Sequence, residues 1–312
     1  MSQKIGLVVD STCDLPRSFI EQHGIEIMPI NMHLGTLLKK DSRDPDETME
    51  YYRRYVGNKE IEITTAPMSV KSIKDWFLEQ LVVKYDRVLV ITGSSNRSAT
   101  FENASKASFM ILSSYKDARK AAGLDEQFAM RVLDSKTLFT GLAVAVYEAV
   151  RVLKTQEDIL FDRLRQHVEN FSQNVRGYMV PQDLYFLRAR AGQKGDKSVG
   201  WLSYQMGGML DTKPILEAYR GETSAVAKVR GFENAVQKLF EMATEAIGKG
   251  LQSKVICMSY GGNPEDVKNF PGYAEFQHAA QANKIEVLLS IMSTAAGIHV
   301  GPGAFSLAYA GK

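Results

Sequence analysis

Residues 86–100 read DRVLVITGSSNRSAT. The run VLVI at 88–91 has no polar alternation, so both faces of a strand built from it must be covered, as in a parallel sheet made of strand–helix–strand units. The turn at 92–98, rich in Gly, Ser and Asn, then hands over to a helical stretch. The same order recurs on either side, in KIGLVVDSTCDLPRSFIEQHG (4–24) and AMRVLDSKTLFTGLAVAVYEAV (129–150). Three such units predict an N-terminal parallel-sheet α/β domain. Asp14, ahead of Leu15 and Pro16, reads as a helix cap, and Gly24 as the matching stop. Thr155 and Asp158 stand at capping-box spacing before an amphipathic helix, which closes the first domain at 172.

From residue 173 the rhythm changes. VRGYMVPQDLYFLRARAG predicts a strand and then a helix starting near Pro181, and KPILEAYRGETSAVAKVR predicts a hairpin turning at Arg220 and Gly221. A helix over 231–249, a strand KVICMSY, a helix near 264–282 and a strand IEVLLSIM follow. The second domain, 173–312, is therefore α+β. Its closing stretch, GIHVGPGAFSLAY at 297–309, predicts a turn at Gly301, Pro302 and Gly303 before a last strand that docks in a sheet.

Composition narrows the function classes. The chain has 312 residues, 45% hydrophobic and 24% charged, with a formal net charge of +2. That is a globular composition with no electrostatic footprint for nucleic acid. No apolar run approaches ~18 residues, so a cytoplasmic location is expected. Cys13 and Cys257 are too few for a disulfide framework, and Cys13 sits between Asp10 and Asp14; both read as inert thiols. The five histidines show no metal-ligand spacing. Neither a P-loop nor a dinucleotide fingerprint follows any strand, so no nucleotide or other cofactor is expected.

In an open parallel sheet, ligands bind beyond the carboxyl ends of the strands, which here carry DST (10–12), TGSSNRS (92–98) and DSKT (134–137). Hydroxyls and free helix N–H groups at such ends suit a carboxylate or phosphate, making Ser11, Ser94 and Ser95 candidates. Thr64 and Thr65 precede Ala66-Pro67, which predicts an extended loop leading to a helix. His299 stands two residues before Gly-Pro-Gly, which would aim it rigidly. These residues are compatible with a site for an anionic ligand, whether in a small-anion sensor or in an acyl hydrolase pairing Ser95 or Ser98 with His299.

Five stretches in order, VVDSTCDLP (8–16), TTAP (64–67), TGSSNRSAT (92–100), LDSKT (133–137) and HVGPGAFSLAY (299–309), resemble the DegV family of bacterial fatty-acid-binding proteins. The resemblance implies the same two-domain fold, with one long-chain fatty acid between or within the domains. It places the carboxylate on Thr64, Ser94, Ser95 and His299, with Arg230 in AKVRGF as a basic group near the head. It further implies that the bound acid is presented to a separate ATP-using fatty acid kinase subunit for acyl phosphate formation, feeding phospholipid metabolism. The binder itself is then no enzyme, and its lipid cargo implies transient membrane contact. The sequence departs from the family pattern at Ala66 for Gln and Ala99 for Gly. It also has AGQKGDKSVG (191–200) where the family has Gly-Gly-Arg-Ile; Lys194 and Lys197 are the only cations there.

Overall fold

The computed structural model describes residues 3–156, 158–194 and 211–312, with the side chains of 190–194 outside that description. Strands β1 (Ile5–Asp10), β2 (Glu26–Met28), β6 (Arg87–Thr92) and β7 (Ala129–Asp134) form a parallel sheet in the order β2-β1-β6-β7. Val88, Leu89, Val90 and Ile91 are all fully buried, as their unbroken apolar run requires. Val8, Val88 and Val90 face helices α3 (Val70–Trp76) and α4 (Thr100–Met110). Leu7, Val9, Leu89, Ile91 and Leu133 face α1 (Arg17–Gln22), α6 (Thr140–Thr155) and α7 (Phe161–Ser172). A further helix, α5 (Tyr115–Ala121), lies between α4 and β7 in the chain.

Between β2 and β6 the chain builds a small antiparallel sheet that hydrophobic periodicity does not announce. Strands β3 (Asn31–Leu34), β4 (Leu37–Lys40) and β5 (Ile63–Ala66) pair in the order β4-β3-β5. They are only four residues long each, too short to show a period. Helix α2 (Pro45–Tyr51) follows β4, capped by Asp44 and running on into a π-helical turn, Tyr52–Val56. The stretch containing Thr64 and Thr65, expected as an extended loop, is strand β5.

The second sheet has six strands in the order β10-β9-β8-β13-β11-β12: β8 (Val175–Val180), β9 (Thr212–Tyr219), β10 (Glu222–Arg230), β11 (Val255–Tyr260), β12 (Glu286–Ile291) and β13 (Phe305–Ala310). The hairpin between β9 and β10 turns at Arg220 (φ 51) and Gly221 (φ 87), both positive as a two-residue turn demands. Helix α8 (Leu184–Lys194) follows β8, α9 (Phe232–Lys249) follows β10, α10 (Tyr273–Ala282) follows β11, and α11 (Thr294–Val300) follows β12. The helix expected near 264–282 is a 3₁₀ segment, Pro264–Asn269, and then α10, because Pro271 and the left-handed Gly272 (φ 83) interrupt it. Strand β13 lies in the interior of the sheet, between β8 and β11, which orders the end of the chain.

The two sheets share a helical layer. Cys257, Ala308 and Ala310 of the second sheet join Leu142, Val144 and Val146 of α6 in one buried cluster with the first sheet. The alternate residues Ile256, Met258, Phe305 and Leu307 face α9 and α10. Leu142, Ala143, Val144, Ala145 and Val146 are consecutive and wholly buried, the mark of a helix enclosed on all sides.

Two local cap expectations fail. Helix α1 starts at Arg17 behind Pro16 with no side-chain cap, and Asp14 is buried in long-range contacts described below. Thr155 is the last residue of α6, where its hydroxyl donates to Arg151 O, and α7 is preceded by Leu160 without a side-chain cap. Gly24 does follow the end of α1, with φ 57 and its N–H on Glu21 O.

Candidate ligand-binding site

Helix α11 carries His299 in its last turn, and its Nε2 lies 2.8 Å from Thr65 Oγ1 on β5. Close backbone approaches hold the helix. A Cβ at Gly297 would fall on the Tyr52 ring and hydroxyl, and a Cβ at Gly301 (φ 89) would sit 2.5 Å from the Phe186 ring of α8. A Cβ at Gly303 (φ 70) would come within 3.2 Å of the Gln182 side chain, so there the positive φ is the stronger requirement. The Gly-Pro-Gly turn is thus required by contact and by backbone conformation together.

Alternation along β5 decides which threonine meets the histidine. Thr65 pairs with the buried Met32, whereas Thr64 pairs with the exposed His33. Neighbouring strand residues point to opposite faces, so Thr65 is the hydroxyl on His299 and Thr64 lies on the other face of β5. The turn after β5 is tied to its surroundings by Asn31 Nδ2, donating to Pro67 O at 3.4 Å, and by Asn103 Nδ2 of α4, donating to Met68 O at 2.9 Å.

The strand-end turns at 10–12, 92–98 and 134–137 do come together, but much of their hydrogen bonding is spent on the protein itself. Gly93 N and Thr12 N donate to the Asp10 carboxylate, and Ser95 N and Lys136 N to Asp134 Oδ1. Four N–H groups at the edge where an anion was expected are therefore taken by the protein's own carboxylates. Burial, partly offset by these bonds, raises the Asp10 carboxyl above its ordinary range. Ser11 Oγ accepts from Ile30 N, Ser95 Oγ donates to Asp134, and Ser98 Oγ pairs with Thr100. Neither Ser95 nor Ser98 is thus on His299. Ser94 differs: it is buried, and its hydroxyl has no hydrogen-bond partner among the described residues.

Arg230 is the exposed last residue of the edge strand β10, and no hydrogen bond or ion pair joins it to His299, Thr65 or Ser94. Lys197 and the Lys194 side chain fall outside the described residues. Cys13 and Cys257 are buried, and removal from water raises both thiols. Among the described residues no group of His, Cys, Asp and Glu has the arrangement of a metal site, and no helix is long and apolar enough to cross a membrane.

On the same helix as His299, Ala296 and Val300 join Phe139, Met179 of β8 and Leu216 of β9 in an apolar cluster, with Leu138, Leu187 and Ala225 packed against it. The helix that carries the polar pair is thus packed into a buried apolar cluster. The sequence does not single out Thr65 over Thr64, since only the register of β5 against β3 distinguishes them.

A family profile described as an uncharacterised protein of the DegV family matches residues 4–312. A DegV domain-containing protein of Xanthomonas axonopodis pv. citri is 42% identical over 309 residues, covering 99% of this chain and 98% of its own. The structure of DegV, a fatty acid binding protein from Bacillus subtilis, superposes with a TM-score of 0.76 at 21% identity, over 100% of both chains. A stearic acid-binding protein from Eubacterium ventriosum does so with a TM-score of 0.77 at 20% identity, over 99% of this chain and 98% of its own. At such identities the two structures speak for the fold.

Proposed function

The chain belongs to the DegV family, and on that premise we propose that it carries one long-chain fatty acid, with the carboxylate on His299 and Thr65. The observation that carries this reading is the 2.8 Å contact between His299 Nε2 and Thr65 Oγ1 beside the apolar cluster of Phe139, Met179, Leu216, Ala296 and Val300. A histidine in the last turn of a helix is favourably placed to carry positive charge toward an anion. The threonine hydroxyl adds a hydrogen bond to a charged acceptor, a stronger bond than one between neutral groups. We take Ser94, whose buried hydroxyl has no hydrogen-bond partner among the described residues, as a third head-group candidate. In this reading Ser11 and Ser95 brace the strand-end turns, Thr64 lies on the outer face of β5, and Arg230 stays off the head group. The acyl chain lies along the apolar cluster.

The carboxylate is presented to a separate ATP-using kinase subunit that forms the acyl phosphate. What supports this second step is chemical: activating a carboxylate this way takes a nucleotide, and the sequence carries no nucleotide-binding loop of its own. Native mass spectrometry of protein purified from cells, before and after denaturing extraction, tests the carrier reading. A co-purifying long-chain acid is the expected result. An empty protein that cleaves p-nitrophenyl esters would overturn it.

A further inference from the structure

Away from the head group, three ionisable side chains are buried together. Asp14 is 0%, Asp41 1% and Arg43 4% exposed. Arg43 Nη1 lies 3.3 Å from Asp14 Oδ1, and its Nη2 donates to Leu15 O and Ile291 O, each at 3.2 Å. The guanidinium is thus paired with Asp14, while Asp41 is tied to Arg43 through the backbone N–H. Both carboxylates also accept from the first turn of α11: Asp14 Oδ1 from Ser293 N at 2.9 Å and Asp41 Oδ2 from Ala295 N at 2.9 Å. Ser259 Oγ at the end of β11 donates to Asp14 Oδ2 at 2.6 Å, and Arg43 N to Asp41 Oδ1 at 3.2 Å.

Such a cluster is a poor device for stability alone. Removing charges from water costs more than an apolar core of the same volume would, so a buried charged group invites a role in fixing position. Position is what the topology supplies here. Asp41 directly follows β4, and Thr65 lies on β5 of the same three-stranded sheet. That sheet therefore grips α11 at both ends, through Asp41 at Ala295 and through Thr65 at His299, four residues further on. Asp14 grips the same first turn from the loop after β1.

We propose that Asp14, Asp41 and Arg43 are positioning residues for the head-group site: by fastening the first turn of α11, they set where His299 stands opposite Thr65. The inference rests on the reading of His299 and Thr65 as carboxylate ligands. The cluster touches no ligand itself and acts through the helix.

The test uses the full chain labelled with ¹⁵N-histidine, with the His299 ring signals assigned by His299→Gln. In Asp41→Ala the His299 signals are expected to move away from their hydrogen-bonded positions, while those of His23, His33, His167 and His278 stay. Affinity for oleate is expected to fall about tenfold, with methyl oleate changed by less than about twofold, because a displaced histidine loses a charged hydrogen bond that the ester never makes. Asp41→Asn keeps an oxygen for Ala295 N and is expected to restore most of both readouts. A folded Asp41→Ala protein with unmoved His299 signals, or with oleate and methyl oleate weakened equally, overturns the proposal. Should Asp41→Ala fail to fold, Ser259→Ala, which removes one donor to Asp14, is judged by the same two readouts. If the wild-type chain binds no oleate, the carrier reading falls, while the ring signals still decide whether the cluster positions His299.

Discussion

His299 and Thr65 lie 234 positions apart in the chain, yet their side chains meet at 2.8 Å. The contact joins the last turn of a helix in the second half of the chain to the small antiparallel sheet of the first half. A group that binds both residues would therefore hold these two regions together.

Thr65→Ala is expected to weaken fatty-acid binding by roughly 1.5–3 kcal/mol, the range for hydrogen bonds to charged groups. Thr64→Ala, on the opposite face of β5, is expected to change it by less than about 0.5 kcal/mol, as for surface substitutions generally. Titration calorimetry of both variants with one long-chain acid checks the difference. Equal losses would mean that the register of β5 does not select the ligand-facing hydroxyl.

His299→Ala is expected to weaken binding of the acid while leaving its methyl ester nearly untouched, because only the acid carries a charge for the histidine to meet. Both ligands are titrated into both proteins, and ester cleavage is followed in the same samples. A cleavage activity present in the wild type and lost in the variant would instead mark His299 as a base.

Burial raises the Asp41 carboxyl to about 6, with Arg43 and the N–H donors opposing the shift. The folded state then binds this proton more tightly than the unfolded chain, whose value is near 4. Its stabilising contribution is full below about pH 4 and is lost as pH rises through about 6. Wild type relative to Asp41→Asn should therefore gain stability as pH falls from 7 to 4, by up to about 3 kcal/mol for a shift of this size. Urea unfolding of both proteins across that window measures it. A difference that grows in the opposite direction would show Asp41 ionised and stabilised in the fold.

Gly297→Ala is expected to cost about 1–3 kcal/mol of stability, as overpacking does, since the new methyl would meet the Tyr52 ring. Adding Tyr52→Leu should cost less in the Gly297→Ala background than in the wild type. Urea midpoints of the two single variants and the double variant test that coupling, and strict additivity would place the strain elsewhere.

Much of the architecture was legible because it is written in local pattern. Unbroken apolar runs such as 88–91 demand cover on both faces, and Arg220-Gly221 between two strand patterns requires a turn of positive φ. Gly24 and the Gly-Pro-Gly turn are likewise local statements about backbone freedom. What the tertiary structure alone decided was the choice of partner. Asp14 stands in sequence where a cap would stand, but it bonds Ser293 N from 279 positions away instead of the helix beside it. Asp10 and Asp134 take N–H groups that the strand ends seemed to offer to a ligand. Thr64 and Thr65 are equivalent until β5 pairs with β3, when one of them turns to His299. Period, turn and cap patterns are set by neighbours within a few residues, so the sequence determined them. A hydrogen-bonding group takes the partner that folding brings within about 3 Å, and for these residues that partner lies far along the chain.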